Sequence, residues 1–224
     1  MKDKTENLVF DTYTLKTLYK LSNDGYFDTL WSTVSSGKEG LVISGRNKEW
    51  VAIKIYFMNT SEFNTMRKYI IGDRRFENIK QSKRDIILNW CKKEYRNLLE
   101  MYDLGMTPKP IAQRNNVLIM EFIGNNGVPA PSIKDKPPEN PKEWYDAIIN
   151  FIKDLYRKKG LVHGDLNEFN ILNNGKPVVI DVSQAVPLDH PLARTMLERD
   201  ITNINNYFKK LGVKVESDVK WSKQ

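Results

Sequence analysis

Residues 124 to 141, GNNGVPAPSIKDKPPENP, cut the chain into two halves of different construction. Gly and Asn favour turns, and Pro fixes its own backbone and removes a donor, so neither a helix nor a strand runs through so many of them. Before this segment lie five short runs with strand character: Thr29 to Val34, Gly40 to Ser44, Trp50 to Tyr56, Pro110 to Gln113 and Val117 to Phe122. The turn residues GRNKE and RNN join two pairs of them. One long helical pattern, SKRDIILNWCKKEYRNLLEMYDLG, interrupts the strands, with Ser82 placed to cap it and Gly105 to end it. After the segment the pattern is mainly helical. KEWYDAIINFIKDLYRKKG puts Trp144, Ile148, Phe151, Ile152 and Leu155 on one face. A last helix is expected from about Pro191, with Leu197, Ile201, Ile204, Phe208 and Leu211 inward. Between the two, Ile171/Leu172 and Val178 to Val182 read as a small strand pair around NNGKP. The opening stretch TYTLKTLYKLSNDG reads as a short helix with Leu15, Leu18 and Leu21 on one side. This order predicts an α+β, two-lobed protein. Residues 1–27 form a helical extension, 28–123 a five-stranded lobe with one long helix, and 124–224 a hinge and a smaller, mainly helical lobe.

A chain of 224 residues, 40% hydrophobic and 28% charged, has the composition of an ordinary globular protein. Its longest apolar run, Val117 to Ile123, is broken by Glu121 and is too short to span a membrane. The stretch MKDKTENLVF lacks the apolar core of a signal peptide. A single cysteine, Cys91, excludes an internal disulfide and a Cys-based zinc site. A cytoplasmic location is expected. The formal net charge of +7 points to an acidic partner. Between Met58 and Asp85 seven basic residues (Arg67, Lys68, Arg74, Arg75, Lys80, Lys83 and Arg84) face four acids. That stretch shows little periodicity and reads as a flexible basic loop over about 58–82.

The chemistry lies in residues far apart in sequence. SSGKEGLV, Ser35 to Val42, falls between two strands and fits the kinase glycine-rich pattern, with Ser35 where a first Gly would stand. There Ser36, Gly37, Lys38 and Glu39 would bring backbone N–H groups to phosphate oxygens. VAIK, Val51 to Lys54, matches the third-strand lysine motif. Strand alternation turns Lys54 to the same face as Ala52. On the long helix, Glu94 falls within the apolar stripe Ile86/Ile87, Trp90, Leu98, Met101/Tyr102. A buried carboxylate needs a cation and an inward lysine needs an anion, so Lys54 and Glu94 are expected to pair. LVHGDLNEFNIL then supplies Asp165, with Asn170 five residues later, and VVIDVSQ supplies Asp181. Asp165 would orient or deprotonate an attacking group, and Asn170 and Asp181 would offer hard oxygen ligands to Mg²⁺ or Mn²⁺. His163 reads as a packing and backbone-bonding residue. In LIMEFIG, Met120 would line an adenine pocket, with the backbones of Glu121 and Ile123 bonding the base.

With these motifs in order, the chain resembles the RIO family of atypical serine/threonine protein kinases, its first-type branch in particular. The pieces that carry the likeness are SSGKEGLV, KKEYRNLLEM, VLIMEFIG…PAPSIKD, LVHGDLNEFNIL and VVIDVSQAVPLDHP, spread over about Ser32 to Leu211. The resemblance implies a protein-kinase-like fold whose truncated C-lobe has no activation segment, since Asp181-Val182-Ser183 replaces Asp-Phe-Gly. It implies ATP with Mg²⁺ or Mn²⁺, a role in small ribosomal subunit maturation, and largely ATPase-type turnover in which Asp181 can accept the phosphoryl group as an aspartyl-phosphate. Partners would be the pre-small-subunit particle, its rRNA and its ribosomal proteins, met as a monomer. The pattern is that of a compact, archaeal-type member. It departs from the branch at Gly40-Leu41, where Ala-Asn is usual.

Two other readings use the same residues. One is a non-catalytic, ATP-gated scaffold that binds pre-rRNA. The other is a small-molecule phosphotransferase of the aminoglycoside or choline type, which also carries HGDLxxxN, but normally adds a large helical substrate region after the metal Asp. DVSQ argues against the second, and the joint presence of Lys54, Asp165, Asn170 and Asp181 against the first.

Overall fold

A computed structural model describes residues 11–77 and 79–216. The chain divides into two units. The first comprises residues 1–96 and 109–129, the second residues 97–108 and 130–224.

In the first unit, β1 (Thr29–Ser36), β2 (Gly40–Arg46), β3 (Trp50–Tyr56), β4 (Pro110–Arg114) and β5 (Val117–Glu121) form one antiparallel sheet in the order β1-β2-β3-β5-β4. Alternation decides which side chains go where. Leu41, Ile43, Val51, Ile53, Ile55, Val117 and Ile119 share a buried cluster with Leu18 and Leu21 of α1 (Thr12–Asn23). Leu15, expected inward, is exposed, and Thr14 and Thr17 are buried instead. The reason is polar pairing with the β4–β5 turn: the Asn116 and Asn115 amides donate to the Thr14 and Thr17 hydroxyls at 2.9 Å each.

The stretch expected as a flexible basic loop is ordered otherwise. It holds α2 (Phe63–Ile70) and a 3₁₀ turn at Arg74–Phe76, with Met66, Tyr69, Ile70, Asp73 and Phe76 buried. Apolar residues at positions 66, 69 and 70 follow the helical i, i+3, i+4 spacing, which the surrounding charges mask.

α3 (Lys83–Met101) begins where Ser82 Oγ takes the Asp85 N–H at 3.2 Å. After a 3₁₀ turn the chain leaves it at Gly105, in the left-handed region at φ 73°. Of the expected stripe, Ile86, Ile87, Trp90, Glu94, Leu98 and Met101 are buried, whereas Tyr102 lies in the 3₁₀ turn and is exposed. A short hairpin, β6 (Gly124–Asn125) and β7 (Val128–Pro129), closes the first unit.

The second unit contains α4 (Pro141–Asp154), continued by a π-helical turn over Leu155–Lys159, and α5 (Ala193–Lys210). Between them run β8 (Leu161–Val162), β9 (Ile171–Asn173), β10 (Pro177–Val179) and β11 (Val186–Pro187), paired as β8 with β11 and β9 with β10. α5 starts two residues later than Pro191 suggested, because His190 Nδ1 accepts the Leu192 N–H at 3.1 Å and holds that stretch as a turn. Among the described residues, no helix is long and apolar enough to cross a membrane.

Candidate active site

The first unit contributes a lysine held from two sides. Lys54 leaves the middle of β3 and its Nζ lies 2.8 Å from Glu94 Oε1 on α3. The other Glu94 oxygen takes a hydrogen bond from the Tyr56 hydroxyl. Tyr56 follows Lys54 by two residues, so the pleat puts both on one face, and Lys54 Nζ lies 5.2 Å from the tyrosine ring centre. Glu94 is 1% exposed, so its charge depends on these partners. Tyr56→Phe is expected to cost about 1–3 kcal/mol of stability by withdrawing one of them, measured by urea unfolding.

Ser36 ends β1, and Gly37, Lys38 and Glu39 make the turn into β2. The turn is braced from below. The Thr60 hydroxyl donates to the Lys38 carbonyl at 2.8 Å, Phe57 N–H donates to the Glu39 carbonyl at 2.9 Å, and Trp90 Nε1 donates to the Glu39 carboxylate at 3.4 Å. Gly40, the departure noted above, has a packing reason. A Cβ there would lie 2.3 Å from the Ile55 carbonyl oxygen, so only glycine lets β2 meet β3 at this point. On β5, Met120 pairs across the sheet with Ala52. The Glu121 N–H is engaged by the Lys109 carbonyl at 2.8 Å, so of its backbone only the carbonyl is left for a base. Ile123 lies beyond the end of β5, after Phe122.

In the second unit, the sequence-predicted acids and amide come together. The Asn170 amide donates to the Asp165 carbonyl at 2.9 Å and to its carboxylate at 3.3 Å, and Ile180 N–H donates to the Asn170 carbonyl at 2.9 Å. That last bond puts Asp181 beside the loop. Asp181 has φ 55°, the left-handed region that Asp tolerates better than most residues, and its Oδ1 accepts the Ser183 hydroxyl at 2.8 Å. Gln184 Nε2 adds a 3.3 Å bond to Asp165. Burial raises the Asp165 pKa above its ordinary value, and the neighbouring Asp181 charge raises it further against Arg199 and the Asn170 bond. With its Nδ2 turned to Asp165, Asn170 presents its amide oxygen away from it. Together with the Asp181 carboxylate this is a hard-oxygen set suited to Mg²⁺, and a cation there would relieve the repulsion between the two acids.

Two residues that no motif in the sequence marks out fix this arrangement. Asp200 of α5, 1% exposed, accepts Gly164 N–H at 2.7 Å and Leu166 N–H at 2.9 Å, bracketing Asp165. Asn97, fully buried, donates to the carbonyls of Val182 at 2.7 Å and Ala185 at 3.1 Å, anchoring the turn that carries Asp181. Arg199 adds a hydrogen bond to the Gly164 carbonyl. Glycine suits position 164 because its φ is +83°, a conformation that L side chains rarely adopt. His163 is 2% exposed and its Nδ1 accepts the Asp165 N–H at 3.3 Å, a backbone-bonding role.

The RIO domain model matches residues 41–220 of the chain. The chain belongs to the RIO family of atypical protein kinases. It is 44% identical over 212 residues to the RIO-type serine/threonine-protein kinase Rio1 of Methanocaldococcus jannaschii, covering 94% of this chain and 73% of that one. It is 41% identical over 219 residues to the Rio1 kinase of Haloferax volcanii, covering 96% and 75%. These archaeal Rio1 relatives place it in the first-type branch. The fold is that of a RIO kinase as well. The structure of the Rio2 kinase–ADP/Mg²⁺–phosphoaspartate complex from Chaetomium thermophilum matches with a TM-score of 0.65 at 22% identity, over 91% of this chain and 62% of that chain. From Asp181 the RIO chain passes through β11 straight to α5, and no segment of the Ala-Pro-Glu kind intervenes.

Proposed function

We propose that this RIO kinase transfers the γ-phosphoryl group of Mg-ATP chiefly to its own Asp181 and then to water, as a turnover device in small ribosomal subunit maturation. The observation that carries the reading is the Asn170–Asp165 hydrogen bond with Asp181 brought beside it by the Ile180 N–H on the Asn170 carbonyl, one acid protonated more readily than usual near a second acid on a strained turn. The Rio2 relative was captured with ADP, Mg²⁺ and a phosphoaspartate, which supports the same chemistry here.

The Lys54 ammonium, fixed by Glu94 and Tyr56, binds phosphate oxygens, as do the N–H groups of Lys38 and Glu39 in the braced turn, where the Gly37 N–H is held by the Gly40 carbonyl at 2.9 Å. Met120 and the backbones of Glu121 and Ile123 line the adenine end. Asn170 and Asp181 would hold the metal through their side-chain oxygens. Mg²⁺, when bound, neutralises charge on the phosphates. An Asp181 carboxylate oxygen bonds to the γ-phosphorus as the bond to the ADP oxygen breaks, and ADP leaves with that electron pair. Water then attacks the acyl-phosphate and gives its proton to Asp165, whose pKa, raised by burial and the Asp181 charge, makes it a better proton acceptor than an ordinary aspartate. A serine hydroxyl in place of Asp181 as acceptor would lose its proton to Asp165 likewise, which is how this residue set also serves serine phosphorylation.

The nature of the phosphorylated residue tests this. After incubation with labelled Mg-ATP, the label is expected to be stable in weak acid and lost in base or hydroxylamine, as an acyl-phosphate is. Phosphoserine, stable to hydroxylamine, as the main product would refute the ATPase reading and leave the serine kinase. No turnover and no label, alone or with pre-ribosomal particles, would favour the scaffold.

The proposed partner is the pre-small-subunit particle. Lys68 and Arg74 are exposed on the basic segment, whereas Arg75 is held by Asp73. Reversing Lys68 and Arg74 to Glu is expected to weaken rRNA binding and to flatten its log–log salt slope by about 2, with ATP affinity unchanged. Filter binding across a salt series measures it.

A further inference from the structure

The basic segment, far from being a plain solvated loop, drives a carboxylate into the first unit. Asp73 is 1% exposed and its neighbour across the contact, Lys93 of α3, is fully buried, with Lys93 Nζ 4.0 Å from Asp73 Oδ2. Arg75 closes the cluster with Nε at 2.9 Å and Nη2 at 2.8 Å from the two Asp73 oxygens. Arg96, one turn along α3 from Lys93, donates to the Arg75 carbonyl at 3.0 Å and lies 5.3 Å from the Phe76 ring centre. Tyr69 packs on Trp90 at 6.1 Å between ring centres. So one side of α3, at Trp90, Lys93 and Arg96, is gripped by residues 69–76, and Glu94 is the residue next to Lys93. Apart from Trp90, which also braces the Ser36–Glu39 turn, none of these groups is used by the phosphoryl-transfer chemistry above.

We infer that Asp73 and Lys93 are positioning residues that set the rotation of α3 and so aim Glu94 at Lys54. An α-helix turns about 100° per residue, so fixing Lys93 on one face fixes where the adjacent carboxylate points. A surface ion pair would grip weakly. A buried one acts differently: a charge left without its partner there is strongly disfavoured, so the pair tolerates little sliding of the helix. The inference rests on the nucleotide-binding reading of Lys54 and Glu94, and predicts coupling that a stabilising contact alone would not produce.

The experiment is a double-mutant cycle between Asp73 and Glu94, read as kcat/KM for ATP hydrolysis in the full chain. Asp73→Asn is expected to lower kcat/KM roughly tenfold, mainly through a higher KM for ATP. In the Glu94→Gln background the same change is expected to have almost no further effect, because its consequence passes through Glu94. Asp73→Asn leaves two cations facing one amide and can unfold the segment. The companion Asp73→Asn/Lys93→Met removes the Asp73 and Lys93 charges, leaving only the partly exposed Arg75, and is expected to melt close to the wild type while keeping the raised KM, whereas Lys93→Arg, which keeps the charge, is expected to retain most of the activity. Equal losses in both backgrounds, or a wild-type KM in the folded companion, would overturn the inference. A Glu94→Gln variant as active as the wild type would instead strike the nucleotide reading itself, so the two failures are distinguishable.

Discussion

Asp181→Asn is expected to reduce ATP hydrolysis by at least about a thousandfold while leaving the protein folded. Asparagine is the informative replacement. Asp181 occupies the left-handed region at φ 55°, where Asn is tolerated and Ala is strained, and Asn can still accept the Ser183 hydroxyl. The change therefore removes the charge and the nucleophilic oxygen with little alteration of the turn that Asn97 anchors. Phosphate release at saturating Mg-ATP measures the first effect, and absence of hydroxylamine-labile label measures the second. Asp181→Ala is expected to be equally inactive and about 1 kcal/mol less stable than the Asn variant. The substitution also has a signature at Asp165. The Asp181 charge is one of the causes that raise the Asp165 pKa, so removing it is expected to move the acid limb of any residual pH–rate profile to lower pH. Turnover near the wild-type rate in either variant would leave Asp181 no place in the chemistry.

The sheet and the long helix are legible in the sequence because period and chemistry agree there. β3 runs over Trp50–Tyr56 as the alternation of VAIK and its flanks indicates, and a carboxylate inside the stripe of α3 announces Glu94. The same signal is present at Asp200. It stands three residues after Leu197 and four before Ile204, on the apolar face of α5, and a buried acid there demands donors. What conceals them is that the donors are backbone N–H groups, which no side-chain pattern reveals. Asn97 is hidden likewise, since it bonds the carbonyls of a turn more than eighty residues away. Tyr56 reads as an ordinary strand aromatic until its hydroxyl meets Glu94. The basic segment looks like a loop because seven cations dominate its composition, whereas the few residues that order it (Met66, Tyr69, Ile70, Asp73 and Phe76) are buried. Local pattern shows where apolar side chains turn inward. It does not show which buried polar groups find one another across the chain.

Asp200→Ala is expected to be the most destabilising single change around the catalytic loop. It strips partners from two buried N–H groups, those of Gly164 and Leu166, at about 1–3 kcal/mol each, so roughly 2–6 kcal/mol in all. Asp200→Asn fares little better, because one N–H then meets an amide NH₂ in place of an oxygen. The effect carries a pH dependence with a definite sign. Burial pushes the Asp200 carboxyl up to about 7 against the pull of the two backbone N–H bonds and Arg199. The folded state therefore binds this proton more tightly than the unfolded chain, where the group titrates near 4. Its stabilising contribution is fully present below about pH 4 and declines as pH rises toward about 7. The loss of stability in the Ala variant is accordingly expected to be larger at pH 5 than at pH 8, in paired urea titrations against the wild type. A penalty that grows with pH would mean that the two N–H bonds outweigh burial and hold Asp200 ionised. Activity separates the loop from the global fold. Asp200 holds the residues on either side of Asp165, so kcat is expected to fall even at temperatures where the variant is fully folded, whereas a variant that loses stability but keeps kcat would show that Asp165 keeps its place without this brace.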